Sequence, residues 1–281
     1  MYSSDARFLY ELIQNAEDNS YSKASREGEL PFLHFSIYSN AIHVDSNEDG
    51  FLEEHVVAIC SIGDSSKQNA AGYIGEKGIG FKSIFKVAQK VHIQSGCFSF
   101  SFTYTQSADE DGLGMVTPYE EPHLENVPAN VRTRFIITPR NDSTFEKRVA
   151  DFENLPETFL LFLNKLKMIK ISVYPPNGLT KTTSYSTVQS DSNLETIIKT
   201  TSDGSNTTRQ KHKFHVTRRK VDNLPKDSAR SEINTATVVL AFPVDAGFNP
   251  LELQQYTFAY LPVRNLGFKV GFYDRATFIC N

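Results

Sequence analysis

Three closely spaced glycines, followed at once by an apolar pattern, constrain this chain more than any other feature. Gly75, Gly78 and Gly80 lie in the segment 72–83, and apolar residues at helical spacing follow from Ile84. Glycine lets backbone N–H groups crowd an anion, and the N-terminus of a helix adds partial positive charge. The spacing matches neither the P-loop nor the dinucleotide-binding motif. The segment therefore predicts a phosphate-binding loop, or a plain reversal of the chain ahead of a helix.

The N-terminal segment, from about residue 4 to residue 19, predicts an amphipathic helix. At the edge of its apolar face, Glu11, Asn15 and Asp18 are spaced at i, i+4 and i+7, which places them within roughly 60° of one another. Oxygen ligands of this kind on a rigid helix suit Mg²⁺. The alternative is an ordinary solvated helix face.

A hairpin is predicted next, at residues 33–44, and it ends in the acidic turn 45–50. Oxygens in this turn are suited to accept the exocyclic amine of a purine, or the turn only caps the following helix. That helix is predicted from Leu52 to Cys60. The polar residues 64–74 then predict a surface loop, for which a lid is one role.

The remaining chain predicts mainly strands, and we place a domain boundary near residue 150. The Ser/Thr-rich stretch 180–209 predicts either a flexible linker or twisted hairpins. The predicted elements are helices around 84–88 and 159–167 and strands at 98–102, 134–138, 169–174, 213–219 and 235–242.

Charge and composition exclude several function classes. Twenty-nine Lys and Arg against 33 Asp and Glu give a net charge of −4, which offers no overall attraction to nucleic acid or anionic membranes. The basic run 209–220 alternates with apolar residues, as is typical of a solvated strand face. The three cysteines form no zinc or disulfide pattern, and we find no signal peptide or membrane span. We expect an intracellular protein, cytoplasmic or nuclear, with no membrane or nucleic-acid partner.

In their order and combination, these motifs resemble the Bergerat ATP-binding fold of the GHKL superfamily, which includes gyrase, the large heat-shock chaperone, histidine kinases and mismatch-repair ATPases. They are most similar to the ATPase module of the sacsin and plant NO VEIN type, and the motifs fall at residues 11–19, 47–51, 58–67 and 72–85. Weaker similarity continues to residue 269.

The resemblance implies an α+β fold of two parts. Residues 1–150 are expected to form a Bergerat-type two-layer α/β sandwich, in which helices cover a mixed, mostly antiparallel sheet. Residues 151–281 are expected to form a smaller β-rich α+β domain that is truncated at its C-terminal end.

The resemblance also implies a site for ATP and Mg²⁺. Glu11 is expected to be the general base that activates water, Asn15 to hold Mg²⁺, and Asp18 to orient the region of the base. Adenine recognition is expected from Asn47 or Asp45, since the turn is shorter than the usual pattern. The other nucleotide-binding residues that the resemblance implies are Gly50, Gly75, Lys77, Gly78, Ile79, Gly80, Phe81, Lys82 and Thr133.

The function implied is slow hydrolysis of ATP to ADP and phosphate by a chaperone-like conformational switch within a larger protein. A protein partner or client and an ATP-dependent dimer are expected, with Arg264 or Lys269 reaching the γ-phosphate. The alternative is a catalytically silent nucleotide-binding or protein-interaction scaffold, which the altered turn 47–51 favours. A histidine kinase is disfavoured because no histidine lies in a helical dimerisation hairpin.

Overall fold

The computed structural model describes residues 7–60, 83–105, 115–140, 144–191, 193–223, 235–251, 257–259 and 261–263. Within them, the helices are α1 (Arg7–Asp18), α2 (Ser22–Arg26), α3 (Glu53–Cys60) and α4 (Phe145–Glu153), with 3₁₀ segments at Ser83–Lys86 and Glu157–Phe162. The strands are β1 (Phe32–Ile37), β2 (Ile42–Ser46), β3 (Ala88–Ser95), β4 (Phe98–Thr105), β5 (Met115–Glu120), β6 (Thr133–Pro139), β7 (Met168–Val173), β8 (Lys181–Asp191), β9 (Leu194–Asp203), β10 (Thr207–Asp222), β11 (Thr235–Val244), β12 (Thr257–Ala259) and β13 (Leu261–Val263).

Eleven strands form one mixed sheet in the order β11-β10-β9-β8-β7-β1-β2-β6-β3-β4-β5, and β12 pairs with β13. The neighbours in the large sheet are antiparallel except for β1 and β7, which run parallel with Phe32 opposite Met168. Strands from the second half of the chain therefore continue the sheet that the first half begins.

The main core lies on one face of this sheet. Side chains alternate between the two faces of a strand, and Leu33, Phe35 and Ile37 of β1 are all buried against the apolar side of α1. The Phe152 ring of α4 lies 5.1 Å from the Phe35 ring and 6.2 Å from that of Phe8. A smaller core forms farther along the sheet, around residues 161, 197, 214 and 216.

The opposite face is polar where the same strands cross it. His34, Asp45 and Arg134 occupy the intervening positions, and the His34 Nε2 lies 3.0 Å from the Ser172 Oγ. Burial is the largest cause that lowers the pKa of His34, to about 4, so this imidazole is neutral at physiological pH.

The expected fold, a helix-covered two-layer α/β sandwich followed by a smaller β-rich domain, is wrong. Strands dominate the described residues, a single sheet of eleven strands replaces the smaller one that was expected, and few helices pack on it. Polar residues alternate with apolar ones along β8 to β10, as is typical of antiparallel strands with one solvated face, so the second half of the chain extends the sheet and supplies few covering helices.

Several predicted elements are confirmed and others are corrected. The first helix, the hairpin of β1 and β2, and the helix that ends at Cys60 are present. The predicted helices around 84–88 and 159–167 are short 3₁₀ segments, and β3 begins at Ala88. The stretch 180–209 forms hairpins: β8 pairs with β9, and Tyr185 and Ile197 lie on the same, buried face of the pair.

The boundary predicted at residue 150 stays a prediction, and that residue lies within α4. None of the helices in the described part of the chain is both long enough and apolar enough to cross a bilayer.

Candidate ligand-binding site

A cavity of about 720 Å³ opens between the C-terminal half of α1, helices α2 and α3, and the adjacent ends of β2 and β6. This volume lies in the range of small-molecule sites, roughly 300–1,000 Å³. Apolar side chains that line it are Leu12, Ala16, Leu33, Val44, Phe51 and Phe135. The cavity therefore offers an apolar wall for a flat ring, with polar groups set into it.

Helix α1 supplies two of its predicted polar residues to this cavity. Asn15 and Asp18 both line it, with Asp18 at the exposed rim. Glu11 lies about one helical turn before Asn15, is partly buried, and is not among the described lining residues.

A chain of hydrogen bonds fixes a carboxyl group at the bottom of the cavity. The backbone N–H of Phe51 donates to Ser95 Oγ at 2.8 Å, and Ser95 Oγ lies 2.6 Å from Thr133 Oγ1. Thr133 Oγ1 in turn donates to Glu48 Oε1 at 2.5 Å. Glu48 and Thr133 both line the cavity, and Glu48 is only 3% exposed.

Glu48 therefore titrates in an unusual range. Burial raises the pKa of its carboxyl to about 7, the bond from Thr133 opposes this rise, and the nearby charge of Asp49 adds to it. Near neutral pH the group loses its proton. Below that pH it can donate a hydrogen bond, and above it the carboxylate can only accept.

Asp49, the next residue, connects the turn to α2. Its carboxylate accepts from the backbone N–H of Lys23 at 2.7 Å and of Ser22 at 2.9 Å, at the start of that short helix. Burial raises the pKa of Asp49, but these N–H groups outweigh it and lower the pKa to about 2. The carboxylate thus holds α2 as one wall of the cavity.

Asn47, a candidate for adenine recognition, is fully buried in the same turn. Its Oδ1 accepts from the Phe32 N–H at 2.9 Å, and its Nδ2 donates to the Leu30 carbonyl at 3.0 Å and to Glu29 Oε2 at 3.3 Å. Arg132 Nη1 donates to the Asn47 carbonyl at 3.0 Å. The amide therefore holds the turn in place and does not line the cavity.

Asp45, the other candidate, lies on the opposite face of the sheet. Its carboxylate pairs with Arg134 through bonds of 2.6 and 2.7 Å, and both side chains are largely buried. Such a two-point pair is strong and directional. Asp45 is also absent from the lining of the cavity.

The turn leads directly into α3. Gly50 has a φ of +93°, a conformation that favours glycine, and it lines the cavity. Leu52 donates its N–H to His55 Nδ1 at 3.0 Å, so the imidazole plays the part that Glu or Gln plays in a capping box.

Glu17 ties the end of α1 to the segment that precedes β7. Its carboxylate accepts from the backbone N–H groups of Asn164, Lys165 and Leu166 at 2.6–3.1 Å. Lys165 Nζ donates to the carbonyls of Asp18 and Asn19 at 2.8 Å, where a cation is favourable at the C-terminus of a helix. The segment at residues 164–166 therefore holds the polar end of α1 through both a carboxylate and two carbonyls.

Seven predicted residues lie outside the described part of the chain: Gly75, Lys77, Gly78, Ile79, Gly80, Phe81 and Lys82. Arg264 and Lys269 do as well. Within the described ranges, no cluster of three or more His, Cys, Asp or Glu side chains could hold a metal ion.

Sequence reasoning missed Glu48 and Ser95. Glu48 stood in the acidic turn, but only the pairing of Ser46 with Thr133 shows that a hydroxyl lies beside it. The available signal was Thr133 of β6, which the resemblance implied among the nucleotide-binding residues.

Fold and cavity together define a strand-rich protein with a ligand-sized site at one end of α1. The comparison with family models gave no match. Among curated proteins, the chain is 28% identical over 295 aligned positions to Protein NO VEIN of Arabidopsis thaliana. The alignment covers 96% of this chain and 10% of that protein, so the chain is similar to a stretch of it and spans about a tenth of that relative's length.

Proposed function

We propose that the chain binds ATP with Mg²⁺ in this cavity, hydrolyses it slowly to ADP and phosphate, and acts as a GHKL-type conformational switch within a larger protein. One observation carries the proposal: Asn15 and Asp18 of α1 line the same cavity as the buried pair of Glu48 and Thr133. A polar rim and an apolar, hydrogen-bonding interior suit a ligand that is charged at one end and aromatic at the other.

The inner part of the cavity suits a purine. Phe51 and Phe135 contribute aromatic surface, with ring centroids 6.3 Å apart. The Glu48 carboxylate, when ionised, is an acceptor for an exocyclic amine, and Thr133 fixes its orientation. In this proposal Glu48 takes the part first expected of Asn47 or Asp45.

The outer part suits a hydrated magnesium ion. Mg²⁺ keeps several waters and needs only one or two protein oxygens besides the phosphates, so Asn15 with Asp18 is a sufficient donor set. When bound, Mg²⁺ neutralises charge on the phosphates. Glu11, about one turn away on α1, is then placed to orient and deprotonate a water molecule.

The similarity to a much longer protein supports the role as one module among others. A chaperone-like action, a protein client, dimerisation on ATP, and a cytoplasmic or nuclear location belong to this proposal.

Calorimetric titration with ATP and with ADP, with and without Mg²⁺, tests the site directly, alongside phosphate release. Glu11→Ala should abolish turnover and retain ATP binding, whereas Asn15→Ala should remove the Mg²⁺ dependence of binding. Glu146→Ala is the control and should change neither, because Glu146 lies on α4, a helix that contributes no residue to the cavity.

The second candidate is a catalytically silent scaffold that binds nucleotide without turnover. It is favoured by the engagement of both Asn47 and Asp45 in structural bonds. Tight ATP binding with phosphate release that is equal in wild type and Glu11→Ala selects the scaffold. Absence of ATP binding in the folded chain refutes both candidates.

A further inference from the structure

The first part of β10 carries exposed cations on the face opposite the smaller core. Phe214 and Val216 are buried, so Arg209 and Lys211, at the odd-numbered positions, project from the other face, and both are exposed. Their cross-strand partners on β9 are Thr200 and Ile198. No carboxylate lies directly opposite either cation among the described residues.

The same part of β10 has a free edge within the described chain. Strand β11 pairs with residues 213–222 only, while β9 pairs with residues 207–215. Residues 207–212 therefore have β9 on one side and no described strand on the other. After β11 the chain turns back at Asp245, where Val244 bridges to Pro250, and so leads away from this edge.

An unpaired edge of about six residues is long enough to accept an added strand, since it extends roughly 20 Å. Natural edges are usually blunted, and basic side chains on an edge repel another basic strand. They attract an acidic one, because opposite charges on neighbouring strands stabilise the pairing.

The occupant we favour is protein and not nucleic acid. A single-stranded nucleic acid needs a row of aromatic side chains on which successive bases can stack. The cross-strand neighbours here are Thr200 and Ile198, and the Phe248 ring lies only at the end of the edge, 4.7 Å from Lys213 Nζ, where it offers a single stacking surface. The net charge of −4 also opposes a long polyanion. A short acidic segment requires only local attraction and backbone pairing.

We propose that the edge at residues 207–212 binds an extended acidic segment of a partner protein, which adds as a strand beside β10 and places its carboxylates next to Arg209 and Lys211. This surface is separate from the proposed ATP site, so a negative result for one proposal does not affect the other. Side chains of the added strand that face Gln210 are expected to be uncharged and polar, because Gln210 is uncharged and also exposed.

Fluorescence anisotropy of a labelled peptide of alternating Glu and Thr, added to the full chain at low salt, is the first measurement. Lys211→Glu should weaken binding by about tenfold, as expected for a charge pair at an interface. The matched control is Lys220→Glu, on the same strand but the opposite face, where Lys220 is also exposed to solvent and its Nζ lies 3.7 Å from Asp222 Oδ1. Its affinity should match that of wild type.

Hydrogen exchange then separates strand addition from simple charge attraction. The peptide should protect amides within residues 207–212, because only a paired edge satisfies those N–H groups. The proposal is overturned if the peptide does not bind, if Lys211→Glu and Lys220→Glu weaken it equally, if no protection appears, or if oligothymidylate of equal length binds more tightly.

Discussion

Thr133 donates its hydroxyl hydrogen to Glu48 across 2.5 Å, although 85 positions separate the two residues along the chain. The pairing of β2 with β6 brings them together, since Ser46 lies opposite Thr133. The hydroxyl is the principal group that opposes the effect of burial on the Glu48 carboxyl. The protonation of the cavity floor therefore depends on a residue of a different strand.

Thr133→Val should raise the pKa of Glu48 further and weaken ATP binding at pH 7. Valine keeps the shape of threonine but leaves a buried carboxyl without its donor, which costs about 1–3 kcal/mol of folding free energy. Urea denaturation measures the loss, and titration with ATP across pH measures the shift. Thr138→Val, on the same strand but the other face, is the control and should alter neither.

The ionisation of Glu48 should make the free protein less stable as pH rises through neutrality. Its pKa is raised from 4.5 to about 7 in the folded chain, so its contribution to stability is complete below about pH 4.5 and is lost as pH passes 7. The total change is about 3 kcal/mol.

Glu48→Gln should abolish this pH dependence, because glutamine does not ionise. Above pH 7 the variant should be more stable than wild type, and the difference should shrink as pH falls and level off below about pH 4.5. Denaturant midpoints at several pH values provide the test. A wild-type curve that is parallel to that of Glu48→Gln over this range would mean that the carboxyl is not buried as the structure has it.

Asp45→Asn should destabilise the fold without changing the affinity for ATP. The substitution removes the negative charge that pairs with the largely buried Arg134 guanidinium. The expected cost is about 3 kcal/mol of folding free energy. Calorimetry on the folded variant measures the affinity. A loss of ATP binding larger than about tenfold, at temperatures where the variant stays folded, would return adenine recognition to Asp45.

Asp49→Ala should loosen α2 and cost about 1 kcal/mol, as the loss of a helix-capping side chain does. The pKa of Asp49 is lowered from 3.8 to about 2, so the stabilisation is present above pH 3.8 and is lost as pH falls toward 2. The difference between wild type and variant should therefore be constant above about pH 5 and shrink below it. Glu53→Ala, an exposed neighbour in α3, should show no such pH-dependent difference.

Local patterns were sufficient to predict α1 and the hairpin of β1 and β2. In each of them, apolar residues within a short stretch repeat at one spacing, that of a helix in α1 and that of a strand in β1 and β2. The same spacing in α1 placed Asn15 and Asp18 together at the edge of the apolar face, and both line the cavity.

Long-range pairing could not be predicted in this way. The parallel contact of β1 with β7 and the meeting of Ser95, Thr133 and Glu48 depend on strand order, which periodicity does not specify. The fold expected from the resemblance failed for a related reason. Polar residues alternate along the strands of the second half, and this pattern favours extending the first sheet over supplying helices to cover it.

The parallel pair of β1 and β7 also has a consequence for how the chain is made. At roughly 5–20 residues per second, on the order of ten seconds separate the synthesis of Phe32 from that of Met168. Until β7 emerges from the ribosome, one side of β1 is an open apolar edge of the kind that promotes self-association. Shortened chains that stop before β7 should therefore aggregate, whereas those that include it can complete the centre of the sheet.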